Sequence, residues 1–97
     1  MFALMTKLAA GAMHDAHGRR TMGKEWLHKV KASCPGVRFI AHYAILGPYD
    51  FMDIYDAPDV ETAHTVSMLS RVGGAVTAES WQLMEYDDYM KLLERVS

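Results

Sequence analysis

The segment Val37–Asp56, VRFIAHYAILGPYDFMDIYD, decides the fold. Its first half, VRFIAHYAIL (37–46), is rich in β-branched and aromatic residues and reads as a strand. Gly47-Pro48 breaks that strand, and YDFMDIYD (49–56) reads as the next one. A two-residue loop at Gly47 and Pro48 sets Leu46 against Tyr49, and a four-residue loop keeps the same register. Either loop predicts Ile40 opposite Tyr55, His42 opposite Asp53 and Ala44 opposite Phe51, all on one face. The other face carries Phe39, Ala41, Tyr43, Ile45, Met52 and Ile54, with Asp50 and Asp56 at its ends. A one-residue slip would invert every side chain.

The flanking sequence supplies the remaining elements. FALMTKLAA (2–10) is short and apolar, consistent with a first strand, and GAMHDAH (11–17) reads as a loop or helix entry. From about Arg19 to Ser33 the pattern is helical, with Met22, Trp26, Leu27, Val30 and Cys34 on one face. Pro35-Gly36 ends that helix, because proline disfavours helical backbone just before itself. Asp59 is placed to cap a helix over 59–72, which buries Ala63, Val66 and Leu69 and stops at Gly73-Gly74. AVTAESWQLMEY (75–86) alternates like a strand. Asp87 or Asp88 would cap a last helix bearing Tyr89, Leu92, Leu93 and Val96.

The order β-α-β-β-α-β plus a terminal helix is the split arrangement of an α+β ferredoxin-like fold, one domain over residues 1–97. Strands one and three are central and both long helices lie on one face. The hairpin faces are both largely apolar, yet helices cover only one. The face with aspartates only at its ends reads as the helix-packed core. The face with His42, Phe51, Asp53 and Tyr55 then needs another cover, and a large exposed apolar sheet is sticky. A homodimer with apposed sheets, a dimeric α/β barrel, is the expectation.

Composition excludes several classes. The chain has 97 residues, 51% hydrophobic and 23% charged, and a single cysteine. That is the profile of a globular domain without an internal disulfide, suited to a reducing, cytoplasmic setting. No apolar run reaches membrane-spanning length, and the N-terminal stretch lacks the basic region of a signal peptide. The net charge of −2 hides an asymmetry. Five bases fall between residues 19 and 31, Arg19, Arg20, Lys24, Lys29 and Lys31. Such a stripe suits phosphates, but a solvated helix face is the simpler reading. The RNP1 pattern of sheet-based RNA binders is absent, which argues against a nucleic-acid partner.

Gly47-Pro48-Tyr49-Asp50, then a strand, then Ala57-Pro58-Asp59, together with the turn VGGAVTAESW into the last strand, resembles the GYD domain family. The resemblance spans essentially the whole chain. It implies a small dimeric ferredoxin-like protein, and it carries no catalytic residues with it. Asp53 stands at a strand position usually apolar in that family, and the basic first helix is longer than in shorter versions.

His42 and Asp53 are the candidate catalytic pair. A carboxylate beside an imidazole orients its tautomer, the arrangement of a general base with its orienting acid. Tyr49, Phe51 and Tyr55 would line an aromatic ligand-binding cavity beside them, in the dimer interior. The plainer alternative is that the two residues satisfy each other across the strands. His14-Asp15-Ala16-His17 has two histidines three apart, but no HExxH or CxxC is present, so no metal and no cofactor are expected. Cys34 reads as a small core residue, His28 and His64 as surface, and Trp26 and Trp81 as core or interface. The leading expectation is a homodimer that binds a small, partly apolar molecule between its sheets. A cofactor-independent enzyme of oxygenase or isomerase type using the same cavity is the alternative, and a structural or regulatory dimer without a ligand is the third.

Overall fold

Alternation of apolar side chains in four segments and helical spacing in three produce the order β1 (Phe2–Leu8), α1 (Ala16–Ser33), β2 (Arg38–Ala44), β3 (Phe51–Asp56), α2 (Val60–Val72), β4 (Ala75–Gln82) and α3 (Tyr86–Val96). This is seen in a computed structural model, which describes residues 1–10 and 15–97. The sheet is four-stranded in the order β2-β3-β1-β4, and every neighbouring pair is antiparallel. Strands β1 and β3 are central, as the ferredoxin-like reading requires.

Local chemistry explains the helix ends. The Asp15 side chain caps α1 by accepting from the Gly18 N–H at 2.8 Å, so the helix starts a turn before the apolar pattern begins. At its far end the Cys34 N–H donates to the Val30 carbonyl at 2.7 Å, and Pro35 follows. Asp59 caps α2 through the Thr62 N–H at 2.7 Å. Helix α3 starts at Tyr86 behind Glu85, which makes no capping bond. Asp87 and Asp88 therefore lie inside its first turn rather than before it, where their charge favours the helix dipole.

The β2–β3 register holds at its loop end and shifts further along. His42 faces Asp53 and Ala44 faces Phe51, and the Ile45 N–H donates to the Asp50 carbonyl, leaving a four-residue loop. A bulge between Phe39 and Ala41 sets Phe39, not Ile40, against Tyr55. Ile40 is the extra residue and stands exposed.

The faces are the reverse of the sequence expectation. Phe2 and Leu4 of β1 join Tyr55, Ala78, Val30, Cys34, Ala63 and Val66 in one buried cluster. Register places Asp53 and Phe51 beside Leu4 and Thr6 on that same, helix-covered face. Met52, Ile54, Ala41 and Tyr43 lie on the open face. The expectation took an aspartate within a face as a mark of the face turned away from the helices. Asp53 instead lies on the helix side, where it is buried with His42 as its partner. Tyr55, Leu4, Val30 and Val66 are fully buried, each contributing about 1.5–3 kcal/mol.

Candidate functional site

The helix-covered face is only partly covered. The only α1 residue that is buried is Val30, near its C-terminal end. The N-terminal half of α1 carries Gly23 where a larger residue would close on the sheet, and it stands off. A Cβ added at Gly23 would approach nothing nearer than the Arg19 side chain at 4.0 Å. The gap is a cleft of about 410 Å³ between α1 and the sheet. Leu4, Phe39 and Phe51 form its apolar floor, and Met22, Trp26 and Leu27 its opposite wall.

The charged and titratable groups of the cleft come from three elements. Strand β3 places Asp53 there and β2 places His42 directly opposite. His42 Nδ1 and Asp53 Oδ1 are 2.5 Å apart. The Asp53 side chain is 10% exposed and that of His42 60%, so the pair runs from the core to the cleft mouth. Burial pushes the Asp53 carboxyl above its ordinary range, against the opposite pull of His42 and Arg19. A carboxylate held on Nδ1 makes that nitrogen the donor and leaves Nε2 with the lone pair. The His42 and Phe51 rings stack at 5.6 Å. From α1, Arg19 lies 5.0 Å over the Phe51 ring, and Arg20 and Lys24 stand beside it. Trp26 donates its indole N–H to Ser70 Oγ at 2.9 Å, tying α1 to α2 at the cleft wall.

The five residues expected to form one cavity are divided. His42, Phe51 and Asp53 line the cleft within one chain, not a space between two sheets. Tyr55 is fully buried in the core. Burial pushes its phenol up, and its O–H shares a 2.6 Å bond with Ser80 Oγ. Tyr49 belongs to the open side, edge-on to Trp81 at 5.7 Å and hydrogen-bonded to Glu79. Arg19, Arg20, Lys24 and Trp26 were not among the expected site residues. The clustering of bases in the first half of α1 was the signal that could have found them.

The other candidates have structural places. Cys34 is buried, and burial followed by the nearby Asp59 charge raises its thiol pKa. His28 and His64 are exposed. Of the His14–His17 motif, His14 lies outside the described residues. Among the described residues no group of three or more His, Cys, Asp or Glu is arranged to hold a metal, and no helix is long and apolar enough to cross a membrane.

A Thermus thermophilus protein named "Glutamine synthetase and cystathionine beta-lyase binding protein" is 32% identical to this chain over 59 residues. The match covers 61% of this chain and 62% of the relative, so the chain spans about three-fifths of that protein's length. No solved structure matches the chain. The GYD domain matches residues 2–93, nearly the whole sequence and all four strands, and the chain therefore belongs to the GYD domain family.

Proposed function

We propose that the protein binds a small, partly apolar molecule in the cleft between α1 and the sheet, as one protomer of a homodimer. The observation that carries this reading is the cleft itself. About 410 Å³ of mostly apolar space, with a buried carboxylate and an imidazole at one wall, has the size and lining of a small-molecule site. A thermal-shift screen of apolar metabolites tests it. A ligand that stabilises the wild type should lose its effect in Gly23→Leu, which fills the cleft, and in His42→Ala. Stabilisation that persists in both variants would place binding elsewhere.

The dimer reading rests on the open face. Tyr43 and Trp81 are exposed there, and Met52 and Ile54 are half-buried between them. A second copy applied to this face would cover it, leaving the clefts on the outside of the assembly. Sedimentation of Tyr43→Glu and Trp81→Glu variants tests this. A wild-type monomer at micromolar concentration would refute it.

An enzymatic role is the second reading, favoured by the Asp53-oriented imidazole with Nε2 free to take a proton. Loss of turnover in both His42→Ala and Asp53→Asn, with ligand binding retained, would establish it. Binding of other proteins is the third. It is favoured by α3, which is exposed from Tyr86 to Val96 except at half-buried Met90, and by the relative's name. Co-sedimentation with glutamine synthetase, abolished by Leu93→Glu, would support that role.

A further inference from the structure

The charge of the cleft is not needed to make it a pocket, yet it is pronounced. We propose that its ligand is an anion, a carboxylate or phosphate on a flat apolar body, held by Arg19 and Lys24 with Arg20 beside them. The proposal rests on the cleft being the binding site.

Three cations line one wall. Among the described residues none of them takes part in an ion pair or donates a side-chain hydrogen bond, although three ion pairs form away from the cleft. Arg20 and Lys24 are four residues apart on α1, where like charges repel by a few tenths of a kcal/mol. Asp53 is the one carboxylate of the cleft, and its Oδ1 is occupied by His42. The wall therefore holds excess positive charge over an apolar floor. A neutral occupant would leave that charge uncompensated, and a cationic one would be repelled.

Geometry narrows the class. The Arg19 guanidinium lies 5.0 Å from the Phe51 ring centroid. That cation–π contact holds the guanidinium over the ring, and its N–H groups donate to no side chain among the described residues. Those groups match the two oxygens of a carboxylate or phosphate, a pairing a point-charge lysine does not reproduce. Phe51, Phe39 and Leu4 beneath the guanidinium supply the contact for a flat apolar body.

Titration calorimetry of the full chain with 2-naphthoate, 2-naphthyl phosphate and the neutral isostere 2-naphthamide tests this. At least one anion should bind tenfold or more tightly than the amide, and the tighter of the two identifies the head group. The preference should fall below threefold in Arg19→Gln/Lys24→Gln. Exposed Arg20→Gln alone should reduce it partway, which gives a readout should the double variant melt early. Equal affinity for all three compounds, abolished by Gly23→Leu, would overturn the anion preference and leave the cleft as the site. No binding of any of them, or binding that survives Gly23→Leu, would overturn both. An anion preference unchanged in the Arg and Lys variants would remove these cations from the proposal.

Discussion

Replacing His42 by alanine leaves Asp53 without its partner, and the cost should depend on pH. The carboxylate is 10% exposed and 2.5 Å from the imidazole. Stranding one charge of a fully buried pair costs about 3–5 kcal/mol. A buried polar group that loses its hydrogen bond costs about 1–3 kcal/mol. The His42 side chain is 60% exposed, so water reaches the pair and the lower range applies. A loss of about 2 kcal/mol at neutral pH follows, or a fall in Tm of roughly 10 °C for a domain of this size. Protonation offers the carboxyl a way out. Burial already raises its pKa, and His42 opposes that rise. Without the imidazole the folded-state pKa climbs further. An acid whose folded pKa lies above its unfolded value destabilises as it ionises, so stability falls as pH rises from the ordinary carboxylate range through the raised value. His42→Ala should therefore cost least near about pH 4.5 and most near about pH 7. Urea unfolding at both pH values, with Asp53→Asn and the double variant, measures this. The coupling between the two sites should be about 1–2 kcal/mol at neutral pH. An equal cost at both pH values, or no coupling, would refute the account of the pair.

The other exposed and buried groups give three further expectations. Tyr55→Phe removes the 2.6 Å bond to Ser80 but leaves Ser80 bonded to Ser67; it should cost about 1 kcal/mol in chemical denaturation, and a neutral result would show the hydroxyl to be dispensable. Gly23→Ala has room for its Cβ and should stabilise α1 by about 0.5–1 kcal/mol, read as a raised Tm; destabilisation would mean the helix depends on glycine there. Asp56 is held below its ordinary range first by the Arg38 hydrogen bond, and Asp59 by its bonds from Thr62. Their stabilisation is present above the unfolded carboxylate pKa and is lost as pH falls through the depressed values, so Asp59→Ala should flatten the acid limb of the stability curve, and a limb as steep as the wild type's would contradict the capping role.

Much of the architecture was legible because each punctuating residue has one physical job. The four aspartates at 50, 53, 56 and 59 divide as strand alternation requires. Asp50 accepts from the Leu8 N–H at 2.8 Å, Asp56 pairs with Arg38 at 2.9 Å, Asp59 caps α2, and Asp53 alone meets His42. The facing of His42 and Asp53 followed from loop parity, since a four-residue loop preserves it. The bulge at Ile40 left no mark in the residue pattern, because an extra β-branched residue in a strand reads like any other. The α3 cap was missed for a related reason. Asp87 and Asp88 suit the first turn of a helix as well as its cap.

The inverted faces have a more general cause. Polarity alone cannot rank two faces that are both apolar. One aspartate seemed to break the tie, yet an aspartate with a partner is compatible with burial, whereas one without is not. The information that settles the choice lies in β1, outside the hairpin. Phe2 and Leu4 alternate with Ala3, Met5 and exposed Lys7, so the side without the lysine becomes the core, and pairing carries Asp53 and Phe51 to that side with them. The consequence reaches function. With the faces assigned from hairpin polarity alone, His42 and Asp53 would sit inside a dimer and any ligand would be shared between two chains. With the faces as they stand, each chain holds its own cleft beneath its own basic helix. A partner on the open face could then form or dissociate without closing the site, and ligand affinity should be independent of protein concentration. Affinity that changes with dilution through the dimer transition would show that the two faces are coupled after all.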